Sequence, residues 1–102
     1  IFVSGQLPID PKTGLMVEGG IMEKTSQVID NLEAVLKEAG SSLDKVVSVN
    51  IYLKNLKADF AQMNEVYLKR FTSTVHPARV TVEVSELPLS APVEISCIAL
   101  AN

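Results

Sequence analysis

Two residues in this sequence have side chains suited to holding and working on a small organic acid: Arg79 and Glu94. Arg79 follows Pro77-Ala78 and opens a stretch that stays uncharged until Glu83. Glu94 opens the last apolar stretch, Val93 to Leu100. A guanidinium offers a planar fork of donors that grips a carboxylate through two parallel hydrogen bonds, which a lysine does not match. A carboxyl group bordering a water-poor pocket can have its pKa raised into the range useful for acid–base work. The same two residue types also make ion pairs between packed surfaces. Taken alone, the pair fits a structural role as well as a chemical one.

Other chemistry finds less support. His76 is the only histidine, has no second His, Cys or spaced carboxylate to complete a zinc site, and reads as a loop residue before Pro77. No G-x-S-x-G, phosphate-cradling loop or G-x-G-x-x-G occurs. Cys97 is the one cysteine, so an internal disulfide is impossible, and it reads as a small buried hydrophobe on a strand. A lone cysteine fits a reducing compartment, cytoplasm or mitochondrial matrix. Glu33, Lys37 and Glu38 read as solvated helix charges, and Asp10-Pro11-Lys12 as turn chemistry. Neither a metal nor an organic cofactor is expected.

Elements must hold Arg79 and Glu94 in place. Ile1 to Leu7 reads as a strand ended by Pro8, and Pro8 to Gly14 is dense in turn residues. Val28, Ile29, Leu32, Val35, Leu36 and Ala39 follow the helical apolar spacing, predicting a helix from about Met22 to Ala39 with Gly40 as its cap. Lys45 to Lys54 alternates and is rich in β-branched residues, as strands are. Phe60, Met63, Tyr67 and Phe71 mark a second helix, roughly Ala58 to Thr72. Ala78 to Val84 and Val93 to Leu100 are the remaining strands. The fold class expected is α+β, with two helices covering one face of a sheet.

Alternation sorts the strand residues into two sets. Val47, Val49, Ile51, Leu53, Val80, Val82, Val84, Val93, Ile95, Cys97 and Ala99 are expected to form the face under the helices. Ser4, Gln6, Ser48, Asn50, Tyr52, Arg79, Thr81, Glu83, Glu94, Ser96, Ile98 and Leu100 are expected on the other. That second face carries hydroxyls and amides with few charges, which suits a surface packed against another subunit better than one in water. A buried face of this kind implies a closed homo-oligomer, the alternative being a merely solvated back face.

With 102 residues the chain supports one domain, 1–102, and its 47% hydrophobic and 21% charged content is ordinary for a globular protein. A net charge of −3 argues against a binder of phosphate backbones. No apolar run reaches the length of about 18 residues that a membrane helix needs.

The chain resembles the RidA/YjgF/UK114 family along essentially its whole length. Val3-Ser4-Gly5-Gln6-Leu7-Pro8 resembles that family's opening strand motif, and Pro11-Lys12-Thr13-Gly14 its hairpin turn. Gln27 to Leu32 resembles its Q-x-x-x-N run, while Phe60, Asn64 and Tyr67 match its second helix. Pro77-Ala78-Arg79 matches its Pro-Ala-Arg signature, and Leu87-Pro88 before Val93-Glu94-Ile95 its final motif.

The resemblance implies a chorismate-mutase-like fold: two helices on one face of a mixed sheet, in a homotrimer whose sheets line a central barrel, with clefts between subunits. It implies an enamine/imine deaminase, a hydrolase of the 2-iminobutanoate/2-iminopropanoate type, turning 2-aminoacrylate-like intermediates into 2-oxo acids and ammonia. Arg79 would clamp the substrate carboxylate and Glu94 would place or activate the attacking water. Ser4, Gly5, Asn64 and Thr81 would line the cleft. Two departures stand out. The family's upstream strand and its Tyr have no counterpart here, so the first strand or hairpin is expected to be missing. Thr81 stands where relatives often have Cys, which would remove a thiol response. The alternatives are a non-catalytic trimer that binds small carboxylates, or a ribonuclease or translation inhibitor.

Overall fold

The computed structural model describes residues 1–101. Strand β1 (Phe2–Gln6) leads into a small hairpin, β2 (Ile9–Asp10) and β3 (Leu15–Met16). The hairpin is closed where the Asp10 carbonyl accepts from the Thr13 and Gly14 amides, with Gly14 at φ 74°. Helix α1 spans Ile21–Glu38. Its first turn is closed by the Glu23 carboxylate, which accepts the Gly20 amide at 2.8 Å. Its end is a Schellman turn: Ser41 N–H donates to Leu36 O and Gly40 N–H to Lys37 O, with Gly40 at φ 79°.

Strand β4 (Val46–Leu53) follows, then helix α2 (Leu56–Arg70). This helix begins two residues before the position the apolar spacing predicts. Asn55 Oδ1 accepts the Ala58 amide, and the Glu83 carboxylate accepts the Leu56 amide at 2.9 Å, so both amides are satisfied one turn early. Strands β5 (Ala78–Glu83) and β6 (Val93–Ala99) complete the chain.

The main sheet has the order β1-β6-β4-β5. Pairs β1/β6 and β6/β4 are antiparallel and β4/β5 is parallel, with α2 supplying the crossover that a parallel pair requires. Val28, Ile29, Leu32 and Leu36 of α1, Met63 and Tyr67 of α2, and Phe71 just beyond it pack over Val49, Ile51, Leu53, Val93, Ile95 and Cys97. Arg70 of α2 ties the helices together through Asp30 at 2.8 Å and Glu33 at 3.5 Å on α1. The expected α+β class, mixed sheet and one-sided helices are all present.

Two strand assignments differ from expectation. Val47 is not in the core: the pairing steps from Val46↔Ala99 to Ser48↔Ile98, leaving Val47 as the extra residue of a bulge, 42% exposed. Strand β5 is turned over along its length. Its register sets Arg79, Thr81 and Glu83 beside Val49, Ile51 and Leu53, on the helix side. Val80 and Val82 lie beside Asn50 and Tyr52 on the open face, 52% and 40% exposed. An edge strand at the margin of the helix layer can direct polar residues inward, because there they reach α2 and solvent and not the middle of the core. The open face is therefore more apolar than the alternation indicates, with Phe2 84% exposed on it beside Ile98.

Candidate functional site

Arg79 starts edge strand β5, and its side chain runs across the sheet margin to α2. Its Nη1 donates to Asn64 Oδ1 at 2.5 Å. Its Cζ stands 4.7 Å from the centre of the Tyr67 ring and 5.7 Å from that of Phe60, within cation–π range of both. Tyr67 in turn stacks on Phe71, with centroids 4.4 Å apart and planes 18° from parallel. Burial pushes the Tyr67 phenol above its usual pKa, while the Arg79 charge acts in the opposite direction. The ring under the guanidinium is thus a neutral one at ordinary pH. Thr81, two residues along and on the same side, has a buried Oγ1 without a hydrogen-bond partner among the described residues.

Glu94 sits elsewhere. On β6 it pairs with Tyr52, and its side chain lies on the open face with Ser96 and Ile98, opposite to its buried neighbours Val93 and Ile95. Beside it, β1 carries a bulge: Val3 pairs with Cys97 and Gln6 with Ile95, so Ser4 and Gly5 together oppose Ser96. A Cβ on Gly5 would stand 2.7 Å from Glu94 Cδ and closer still to Oε2. Only glycine leaves room for that carboxyl group. Bulges often re-aim side chains at functional sites, and this one brings Ser4 and Gly5 to Glu94.

The expected common face for Arg79 and Glu94 is therefore wrong. Arg79 lies level with Val49, while Glu94 lies level with Tyr52, three residues further, with β4 between the two strands. Two strand spacings across and three residues along put their Cα atoms about 14 Å apart. Their side chains leave opposite faces of the sheet. Arg79, Asn64 and Thr81 form one cluster; Glu94, Gly5 and Ser4 form another. An Arg79–Glu94 ion pair within one chain is excluded.

Tyr67 and Phe60 entered the sequence reading as helix-core markers, and their contact with Arg79 was missed. The signal was the stripe Phe60, Asn64, Tyr67, Phe71, which presents one helix face. Asn31 was also missed as a clamp. Its Nδ2 donates to the carbonyls of Leu7 and Ile9 at 3.0 and 2.9 Å, and its Oδ1 accepts from Gln27 at 2.9 Å. This fixes the chain leaving the Ser4-Gly5 bulge. His76 is exposed, and Cys97 is buried with its thiol pushed up to about 11, first by burial, against the Ile1 ammonium.

Two open grooves, of about 560 Å³ between the helices (Met22, Asp30, Val66, Arg70) and about 430 Å³ between β1 and α1 (Leu7, Ile9, Asn31, Val35), reach neither Arg79 nor Glu94. Among the described residues, no three His, Cys, Asp or Glu side chains gather as metal ligands, and no helix is long and apolar enough to cross a membrane.

The chain is similar to known proteins along its length. The family model described as Endoribonuclease L-PSP matches residues 1–101. A RutC family protein of Pyrococcus abyssi is 56% identical over 99 residues, covering 97% of this chain and 76% of its own. The RutC family protein UK114 of Drosophila melanogaster is 47% identical over 102 residues, covering 100% and 72%. Among solved structures, a Rid family protein of Yersinia pestis superposes with a TM-score of 0.92 at 47% identity, covering 96% of this chain and 77% of that one. The TdcF protein of E. coli, solved with bound serine, does so with a TM-score of 0.89 at 31% identity, covering 99% and 80%. The chain belongs to the Endoribonuclease L-PSP family, whose members include RutC, UK114 and Rid proteins.

Proposed function

We propose that this protein is an enamine/imine deaminase that hydrolyses 2-aminoacrylate-like acids to 2-oxo acids and ammonia, in clefts between the subunits of a homotrimer. The observation that carries this reading is the division of the site. Arg79 with Asn64 and Thr81 makes a carboxylate-holding half on one side of the sheet, and Glu94 with Gly5 and Ser4 makes an acid–base half on the other. Neither half is complete, and a neighbouring copy can supply what each lacks. The exposed Phe2, Val80 and Val82 provide an apolar surface for that contact.

In the complete cleft, Arg79 takes the substrate carboxylate on the guanidinium edge that Asn64 leaves open. Glu94 of the facing subunit accepts a proton from water as its oxygen attacks the imine carbon, then returns it to nitrogen. Glu94 then carries the proton of the new hydroxyl to the same nitrogen as the C–N bond breaks, so that ammonia leaves and the carbonyl of the 2-oxo acid remains. The imine is already electrophilic, so holding the acid and presenting one water supplies most of the gain. The serine bound to the related TdcF is a small carboxylate of the size this cleft would take. A purely carboxylate-binding trimer would gain nothing from a second negative charge such as Glu94. Nucleic-acid cleavage, which the family's description suggests, is opposed by the net charge of −3 and by the single, exposed His76.

The test couples this protein to a pyridoxal-phosphate dehydratase that releases 2-aminoacrylate from serine, with pyruvate formation followed with and without it. Acceleration that is lost in Arg79→Ala and strongly reduced in Glu94→Gln supports the reading. No acceleration by wild-type protein shown to be trimeric would refute the enzyme, and titration with 2-oxobutanoate would then test the binding module.

A further inference from the structure

Arg79 is held more elaborately than an arginine at a sheet margin needs to be. Three side chains of α2 meet it: Asn64 accepts from Nη1, and the ring centres of Tyr67 and Phe60 lie 4.7 and 5.7 Å from Cζ. The nearer ring has its own support, since Tyr67 is 5% exposed and stacked on the buried Phe71. The order guanidinium, Tyr67, Phe71 is a stack anchored in the core.

We infer that Tyr67 is a positioning residue that sets the plane of the Arg79 guanidinium, and through it the plane in which a conjugated 2-imino acid lies. The inference rests on the deaminase reading for its substrate, though not for its geometry. With Nη1 committed to Asn64 and Cζ held over the Tyr67 ring, the guanidinium has its remaining donors free for a ligand. A carboxylate held by two parallel hydrogen bonds is coplanar with its guanidinium. In a 2-imino acid, conjugation keeps the C=N group near the carboxylate plane. Fixing Arg79 therefore fixes the plane of the imine, and water must approach the carbon from above or below that plane. The ring acts through its face and the phenol oxygen is not required, so Tyr67→Phe should keep what Tyr67→Leu loses.

The experiment reads the arginine directly. Side-chain 15N relaxation at Arg79 Nε, assigned with Arg79→Lys, is measured in wild-type protein, Tyr67→Phe and Tyr67→Leu, each checked for native Tm and assembly. Wild type and Tyr67→Phe are expected to show an ordered guanidinium, and Tyr67→Leu a mobile one. In the coupled assay, Tyr67→Leu is expected to lose about tenfold in kcat/KM, the size expected for a partly buried cation–π contact. Tyr67→Phe should keep at least half of wild-type kcat/KM. An Arg79 equally ordered in Tyr67→Leu overturns the inference, whatever the activity. So does a loss in Tyr67→Phe matching that in Tyr67→Leu, which would place the effect on the hydroxyl. If Tyr67→Leu proves too unstable, Phe60→Leu combined with Asn64→Ala, which leaves the ring in place, must retain partial Arg79 order or the inference fails. Absence of activity in every form, with the relaxation result as expected, would refute the deaminase reading alone.

Discussion

If each cleft takes Arg79 from one subunit and Glu94 from the next, two inactive chains should rescue one another. Arg79→Ala removes a charge-assisted clamp worth roughly 3 kcal/mol, near a hundredfold in kcat/KM, and Glu94→Gln removes the proton acceptor. Each homotrimer alone should therefore stand near the background. Assembled together in equal amounts, by co-expression or joint refolding, the chains form mixed trimers in about three quarters of cases. Going round any mixed ring, a subunit with intact Arg79 precedes one with intact Glu94 at a single junction. One cleft in three is then complete, and the expected recovery is about one quarter of wild-type activity.

A second mixture sharpens the measurement. When wild-type chains are diluted with chains carrying both substitutions, a divided site needs two adjacent wild-type subunits, so activity follows the square of the wild-type fraction. At equal amounts it should be about one quarter, against about one half for a site contained within one chain. The assay is pyruvate formation from serine through the dehydratase, with native mass spectrometry to verify mixing. Recovery no greater than the average of the two homotrimers, in samples proven to be mixed, would refute the division of the site. A linear dilution curve would do the same.

Other expectations come from single contacts. Gly5→Ala should push Glu94 aside, because the added Cβ would stand 2.7 Å from Cδ; a fall of about tenfold or more in kcat is expected with little change in Tm. Asn31→Ala leaves the Leu7 and Ile9 carbonyls without their donor and should cost about 1–3 kcal/mol in urea denaturation, with m unchanged. Cys97, with its thiol raised to about 11, should resist alkylation at pH 8 in the native protein and react once unfolded. A raised thiol pKa favours the protonated fold, so its contribution is full below the unfolded value near 9. It should be lost between about pH 9 and 11, lowering stability by roughly 2 kcal/mol across that window.

Most of the fold was legible because its elements have strong periods. Val28, Ile29, Leu32 and Leu36 sit on one side of any helix drawn through them, and Gly40 ends it by supplying a positive φ. Strand β6 alternates without a break, and its inward set is Val93, Ile95, Cys97 and Ala99, as read. Two features escaped for a physical reason. The bulge at Val47 costs one residue of register, and Val46-Val47 gives no hint which of the two remains inside. Strand β5 alternates equally well with either face inward; what decided it was a parallel register with β4 and the reach of Arg79 to Asn64 and Tyr67, both distant in sequence.

That single reversal joined two errors whose correction points one way. With β5 facing as the alternation indicated, Arg79 and Glu94 shared a polar surface, and an ion pair between them competed with any chemical role. Turned over, β5 gives its charges to the helix side and its valines to the open face. Arg79 cannot neutralise Glu94 within the chain, so an ion pair between the two would have to cross a subunit interface. The open face loses Arg79 and Glu83 and gains Val80 and Val82. It becomes the better candidate for burial against another sheet, since apolar side chains lose less than a guanidinium on leaving water. Val80 and Val82 on the open face favour an oligomer more strongly than Arg79 and Glu83 would there. If one subunit's Glu94 meets another's Arg79, assembly and site completion become one requirement on the sequence.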